Sequence, residues 1–125
     1  TSFRVKTPGA RQAANSLSGG NLQKFIIGRE IIQEPGVIIA LQPTWGVDAG
    51  SAAAIRQALI DLSTDGAAVL VVSQDLEELF EIADRIAVIC QGRVSEPNLV
   101  ESITVPEVGL LMSGIETNHE VSNAV

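Results

Sequence analysis

The chain has 125 residues, 46% of them hydrophobic and 18% charged, and 15 acidic against 8 basic side chains give a net charge of −7. This composition predicts a globular chain of one domain at most, and its acidity argues against a nucleic-acid surface or a polybasic membrane patch. With 3% aromatic residues and no Tyr there is also little on which bases could stack.

The single Cys90 excludes an intramolecular disulfide framework and fits a reducing compartment. Its place at the end of an apolar run predicts a small core residue. No stretch reads as a signal peptide. The longest apolar run, Ala67 to Val72, is far short of the ~20 residues of a spanning helix. The chain opens on Thr1 in a loop-like stretch, which predicts a portion of a longer polypeptide.

Residues 1–16 are polar, with Pro8-Gly9 as a turn signal. The chain then opens through Ser18-Gly19-Gly20 into a helix expected to run to about Glu34, with Leu22, Phe25, Ile26, Ile27, Ile31 and Ile32 as its apolar residues. Ser18 suits an N-cap, and the glycines leave backbone amides open to close approach. A helix start of this kind is an anion site.

Pro35-Gly36 stops that helix. Val37 to Leu41 is wholly apolar, as in a strand covered on both faces of a parallel sheet. Residues 42–48 are too rich in breakers for either element. Ile55, Leu59 and Leu62 then recur at helical spacing between Ser51 and Ser63. Asp65-Gly66 turns the chain into a second buried strand, Ala67 to Ser73.

Asp75 suits an N-cap with Glu78 closing a capping box, ahead of a short helix with Leu76, Leu79, Phe80 and Ala83 as its stripe. Glu77, Glu78 and Glu81 read as a solvated acidic face near that helix's start. A third strand is expected from Arg85 to Cys90, and Gln91-Gly92 should turn it into an edge strand, Arg93 to Glu96. A last helix is expected from Pro106 to Met112, ahead of a polar tail at 116–125 that holds the lone His119. Alternating helices and strands predict an α/β fold with a mainly parallel sheet. No His/Cys/Asp/Glu cluster has metal-ligand spacing, so no protein-only metal site is expected.

Leu17-Ser18-Gly19-Gly20-Asn21-Leu22-Gln23-Lys24 resembles the signature motif of ATP-binding-cassette (ABC) ATPases, which contacts the γ-phosphate of ATP held by an opposing domain. Three further stretches resemble that family in the same order. Leu41-Gln42-Pro43-Thr44 stands where the family has the end of its Walker B strand. Gly46-Val47-Asp48 matches the D-loop, and Val71 to Glu78 matches the switch-loop region. Gln42-Pro43-Thr44, Asp75 to Leu79, Asp84 to Val88 and Gly109 to Gly114 resemble the bacterial importers of nucleosides and simple sugars, above all their second cassette.

The resemblance implies a partial P-loop NTPase core whose Walker A half is absent from the chain, with residues 1–115 the C-terminal part of the cassette. It implies ATP and Mg²⁺ as cofactors, both held mainly by parts outside this chain. Ser18, Gly19 and Gly20 would contact a partner's γ-phosphate, with Asn21 and Gln23 in support. Gly46 and Asp48 would carry communication across a cassette dimer. The implied partners are another cassette, fused or separate, membrane permease subunits and, indirectly, a solute-binding protein, at the cytoplasmic face of the membrane. No nucleic-acid partner is implied.

Three positions depart from the family. Hydrolysis needs a metal-side carboxylate, a residue to activate or position water, and a γ-phosphate sensor. Leu41 stands at the metal-side Asp, Gln42 at the catalytic Glu and Gln74 at the switch His. An asymmetric pair follows: the signature serves the partner's site, while the chain's own site is degenerate and the chain alone inactive as an ATPase. The strand leading to the phosphate loop, central in the family, is also missing, so the chain alone is expected to be marginally stable or oligomeric. The alternative is a non-transport ABC ATPase of the DNA-repair or translation type.

Overall fold

The computed structural model describes Gly9, Arg11 and residues 19–115. Ser18 and the 116–125 tail, with His119, lie outside the described residues. The chain divides into two compact units between Gln74 and Asp75.

The first unit holds α1 (Gly19–Ile32), β1 (Val37–Leu41), α2 (Ala49–Thr64) and β2 (Ala68–Val72). α1 stops two residues earlier than expected, with Glu34 in the left-handed region just before Pro35. β1 and β2 pair in parallel, from Val37 opposite Ala68 to Leu41 opposite Val72. Parallel neighbours need a crossover between them, and α2 supplies it.

Alternation along the strands then sorts the side chains. Ile38, Ala40, Val69 and Val71 turn toward a core that they form with Ile27 of α1 and Ile55 and Leu59 of α2. Val37, Ile39, Leu41 and Leu70 are exposed. The expectation of strands covered on both faces is therefore corrected, because α1 and α2 share a single core on one face. Phe25, Ile26 and Ile32 of α1 are likewise exposed, and Ile27 is its one buried hydrophobic residue.

The second unit holds α3 (Leu76–Ile82), β3 (Arg85–Ile86), β4 (Ile89–Cys90), β5 (Arg93–Val94), β6 (Asn98–Leu99), a 3₁₀ turn at Val100–Ser102 and α4 (Val105–Met112). Ile86, Val88, Ile103 and Val108 form its core, with Leu76, Leu79, Phe80 and Ala83 packed on it. The single strand expected from Arg85 to Cys90 is in fact two. β3 pairs antiparallel with β6, and β4 with β5. Between them Val88 meets Ser95 twice: its carbonyl accepts from the Ser95 amide at 2.8 Å, and its amide donates to the Ser95 hydroxyl at 2.9 Å.

Gln91 and Gly92 both have positive φ, 49° and 75°, as a two-residue hairpin turn that matches strand twist requires. Asp75 caps α3 by accepting from the Glu78 amide at 3.1 Å. Glu78 itself is 3% exposed, so the solvated acidic face is corrected to Glu77 and Glu81. Cys90 is half-buried, its thiol donating to the Met112 carbonyl. Ahead of α4, the Thr104 amide and hydroxyl both donate to Glu107 Oε2 at 2.7 Å. Among the described residues no helix is long and apolar enough to cross a membrane.

Candidate functional site

The site is organised by the loop from Gln42 to Asp48, which leaves β1 and enters α2. At its exit Asp48 caps α2: its Oδ1 accepts the Ser51 amide at 2.9 Å and its Oδ2 the Ser51 hydroxyl at 2.7 Å. The helix therefore starts at Ala49, two residues before the predicted Ser51. The signal was in the sequence, since an Asp three residues ahead of Ser51 is an N-cap pattern. The Ser51 hydroxyl and amide, with Lys24 at longer range, hold the Asp48 carboxyl below its ordinary carboxylate value.

The first turn of α1 lies against this cap. A methyl group built on Gly20 would meet Asp48 Oδ2 and Ser51 Oγ, each at 3.2 Å, and one on Gly19 would lie 3.8 Å from the Gly46 carbonyl oxygen. One turn further on, Gln23 Nε2 donates to the Pro43 carbonyl at 3.1 Å. One hydrogen bond at Pro43 thus ties α1 to the loop, and the helix start lies close to Gly46 and Asp48. Asn21 is half-buried on the same turn.

At the loop's entrance Gln42 extends the ladder beyond β1, its amide donating to the Val72 carbonyl at 2.8 Å. Its φ of 47° is in the left-handed region, which costs a non-glycine residue about 1–2 kcal/mol. Strain of this kind collects at functional positions. Its Oε1 accepts from the Ser73 hydroxyl at 3.4 Å.

Leu41 is 70% exposed and Trp45 79%. The two line one open cavity with Gly19, Leu22, Gln23, Gln42 and Gly46. The structure thus brings together the Gly19–Gln23 turn, the Leu41-Gln42 pair, Gly46 and Asp48. Gln74 is not among the cavity's lining residues; it is exposed, at the last position of the first unit. Ser51 is a partner that lies outside the motifs, whereas Ser73 and Pro43 lie inside them without having been named as site residues. Among the described residues no group of three or more His, Cys, Asp or Glu is placed to hold a metal ion.

No family model matches the sequence. The chain is 44% identical over 124 residues to the guanosine import ATP-binding protein NupO of Bacillus subtilis, covering 99% of this chain and 24% of that protein. It is also 44% identical over 101 residues to the glucose import ATP-binding protein TsgD13 of Haloferax volcanii, covering 81% and 18%. Among solved structures it is similar to the ATP-binding cassette MJ0796, a dimer in a post-hydrolysis state with ADP and phosphate. There the TM-score is 0.62 at 33% identity, over 69% of this chain and 37% of that one. The chain spans about a quarter or less of the length of these curated relatives. A parallel β1–α2–β2 unit, a glycine turn seated on the loop after β1, and this likeness over nearly all of its length make the chain part of an ATP-binding cassette of the ABC family, similar to the nucleoside and sugar import ATP-binding proteins.

Proposed function

We propose that this chain supplies the glycine turn of α1 to a composite ATP site closed by a second cassette, in an importer of a nucleoside or simple sugar, while its own catalytic positions are degenerate. The observation that carries this function is the contrast across one loop. On one side a 14-residue helix begins at Gly19, which is exposed and carries no side chain to bar a phosphate. Helix-start amides and the dipole favour an anion there. On the other side Leu41 and Gln42 stand where hydrolysis needs two carboxylates.

The residues present fit the terminal phosphate of ATP and do not fit Mg²⁺. Leu41 offers no donor atom, and Gln42 offers only a neutral amide oxygen where a charged carboxylate would be needed. An amide can orient water but takes no proton from it. The chain's own residues therefore bind and orient: the α1 turn meets the phosphate, and the loop holds the turn in place. Metal and water chemistry fall to the opposing cassette. The MJ0796 dimer supports pairing of cassettes, and guanosine and glucose import by the two relatives supports the solute class. Membrane permease subunits, fed by a solute-binding protein, complete the proposed assembly at the cytoplasmic face.

The test is steady-state ATPase activity of the complete importer. Ser18→Arg puts bulk and charge where the partner's phosphate docks and should lower turnover by ~10²–10³, the effect of losing preorganised contacts. Gln42→Ala should cost far less. Equal losses, or a larger loss from Gln42→Ala, would show that the home site is the working one.

A further inference from the structure

Ser51 belongs to none of the motifs, yet it is 4% exposed, one of two buried polar residues among those described. It occupies both oxygens of Asp48, one through its amide and one through its hydroxyl. A free aspartate side chain rotates; one held at both oxygens does not. Gly20 packs on this held pair, with room for hydrogen but not for a relaxed methyl group, since a Cβ would sit 3.2 Å from Asp48 Oδ2 and 3.2 Å from Ser51 Oγ. Gly50 comes as near from the other side, a methyl there lying 3.3 Å from Asp48 Oδ1.

We propose that Ser51 is a positioning residue of the composite ATP site, locking Asp48 into a fixed seat for Gly20 so that the glycine turn and the loop move as one body. The inference rests on the composite-site function proposed above. It gives Gly20 a second reason to be glycine, close approach to its own loop as well as to a phosphate. It also gives Asp48 work within its own cassette, because the carboxylate that would signal across the dimer also sets the height of the turn. A shift of about 1 Å in a catalytic contact is enough to cost up to ~10²-fold in rate, so a seat held by two hydrogen bonds reaches the chemistry without touching ATP.

The proposal is tested in the complete importer with Ser51→Ala, Gly20→Ala and the double variant, each measured for kcat, for KM of ATP and for melting temperature. Ser51→Ala suits an early helix position and keeps the fold. It should lower kcat about three- to tenfold with KM unchanged, whereas a merely structural role would lower the melting temperature and leave kcat per folded molecule intact. Gly20→Ala should lower kcat further in the native background than beside Ser51→Ala, where the hydroxyl it strikes is gone and Asp48 can swing aside.

If instead the two losses multiply within about twofold, as for independent sites, Gly20 does not read the Ser51–Asp48 pair and the proposal is overturned. Unchanged kcat in Ser51→Ala overturns it equally. Ser18→Arg, run alongside, separates the two levels. Inactive Ser18→Arg with neutral, uncoupled Ser51 variants removes the seat alone; fully active Ser18→Arg removes the composite-site function itself.

Discussion

At its exit the loop from Gln42 to Asp48 ends on a carboxylate whose two oxygens are both bonded to Ser51, with a glycine turn packed on top. At its entrance the same loop leaves Leu41 70% exposed and holds Gln42 in a left-handed conformation with one 3.4 Å side-chain hydrogen bond. A single loop of seven residues, Gln42 to Asp48, has one tightly built end and one loosely built one. The difference matches the division of labour proposed above. Under that proposal the turn that meets a phosphate needs its backbone held to a fraction of an ångström, and the exit of the loop is built for that. The proposed degenerate end needs only to continue the sheet, and the Gln42–Val72 ladder bond does that.

The largest way to break the contrast is to remove the floor beneath both ends. Ile55 is fully buried between the helices and the sheet. Ile55→Ala should destabilise the protein by about 2–5 kcal/mol, and the gap in turnover between Ser18→Arg and Gln42→Ala should narrow as the shared core loosens. Urea unfolding with parallel ATPase assays reads both effects; an undiminished gap at that loss of stability would mean that the ends do not rest on one core.

A smaller effect of opposite sign sharpens the contrast at the entrance. Gln42→Gly relieves the left-handed strain at φ 47°, about 1–2 kcal/mol, against about 0.5–1 kcal/mol for the added freedom of glycine. A net gain of about 0.5–1 kcal/mol is expected in urea unfolding. A loss would show that the Gln42 side chain contributes more than its geometry indicates.

The smallest effect lies in pH. Asp48 is held below its ordinary carboxylate value by Ser51, so its contribution to stability is complete above the unfolded value, about 3.9. That contribution fades as the pH falls through the lower folded value. Because the carboxylate is solvent-exposed, screening keeps the effect small. Melting temperatures between pH 6 and pH 3 should fall slightly more steeply for the native protein than for Asp48→Asn, and parallel curves would contradict the Ser51 lock.

The sequence by itself determined the elements and their order. Pro35-Gly36 ended α1, the apolar run Val37 to Leu41 became β1, Asp75 capped α3, and Gln91-Gly92 turned β4 into β5. These outcomes are local, set by which backbone angles and hydrogen bonds a few adjacent residues allow. That positions 41 and 42 carry Leu and Gln rather than carboxylates was legible too, because side-chain identity does not depend on the fold.

Tertiary structure decided the rest. It divided Arg85 to Cys90 into two strands, because the first half pairs with Asn98–Leu99 and the second with Arg93–Val94. It buried Glu78 on a helix whose charge pattern pointed to water. It gave Gly20 a seat on Asp48 and Ser51 and tied Gln23 to Pro43, contacts across 20 or more residues that no periodicity encodes. Packing at this range depends on which surfaces meet, and a single side chain such as Ser51 acquires its role only when the fold brings Gly20 to it.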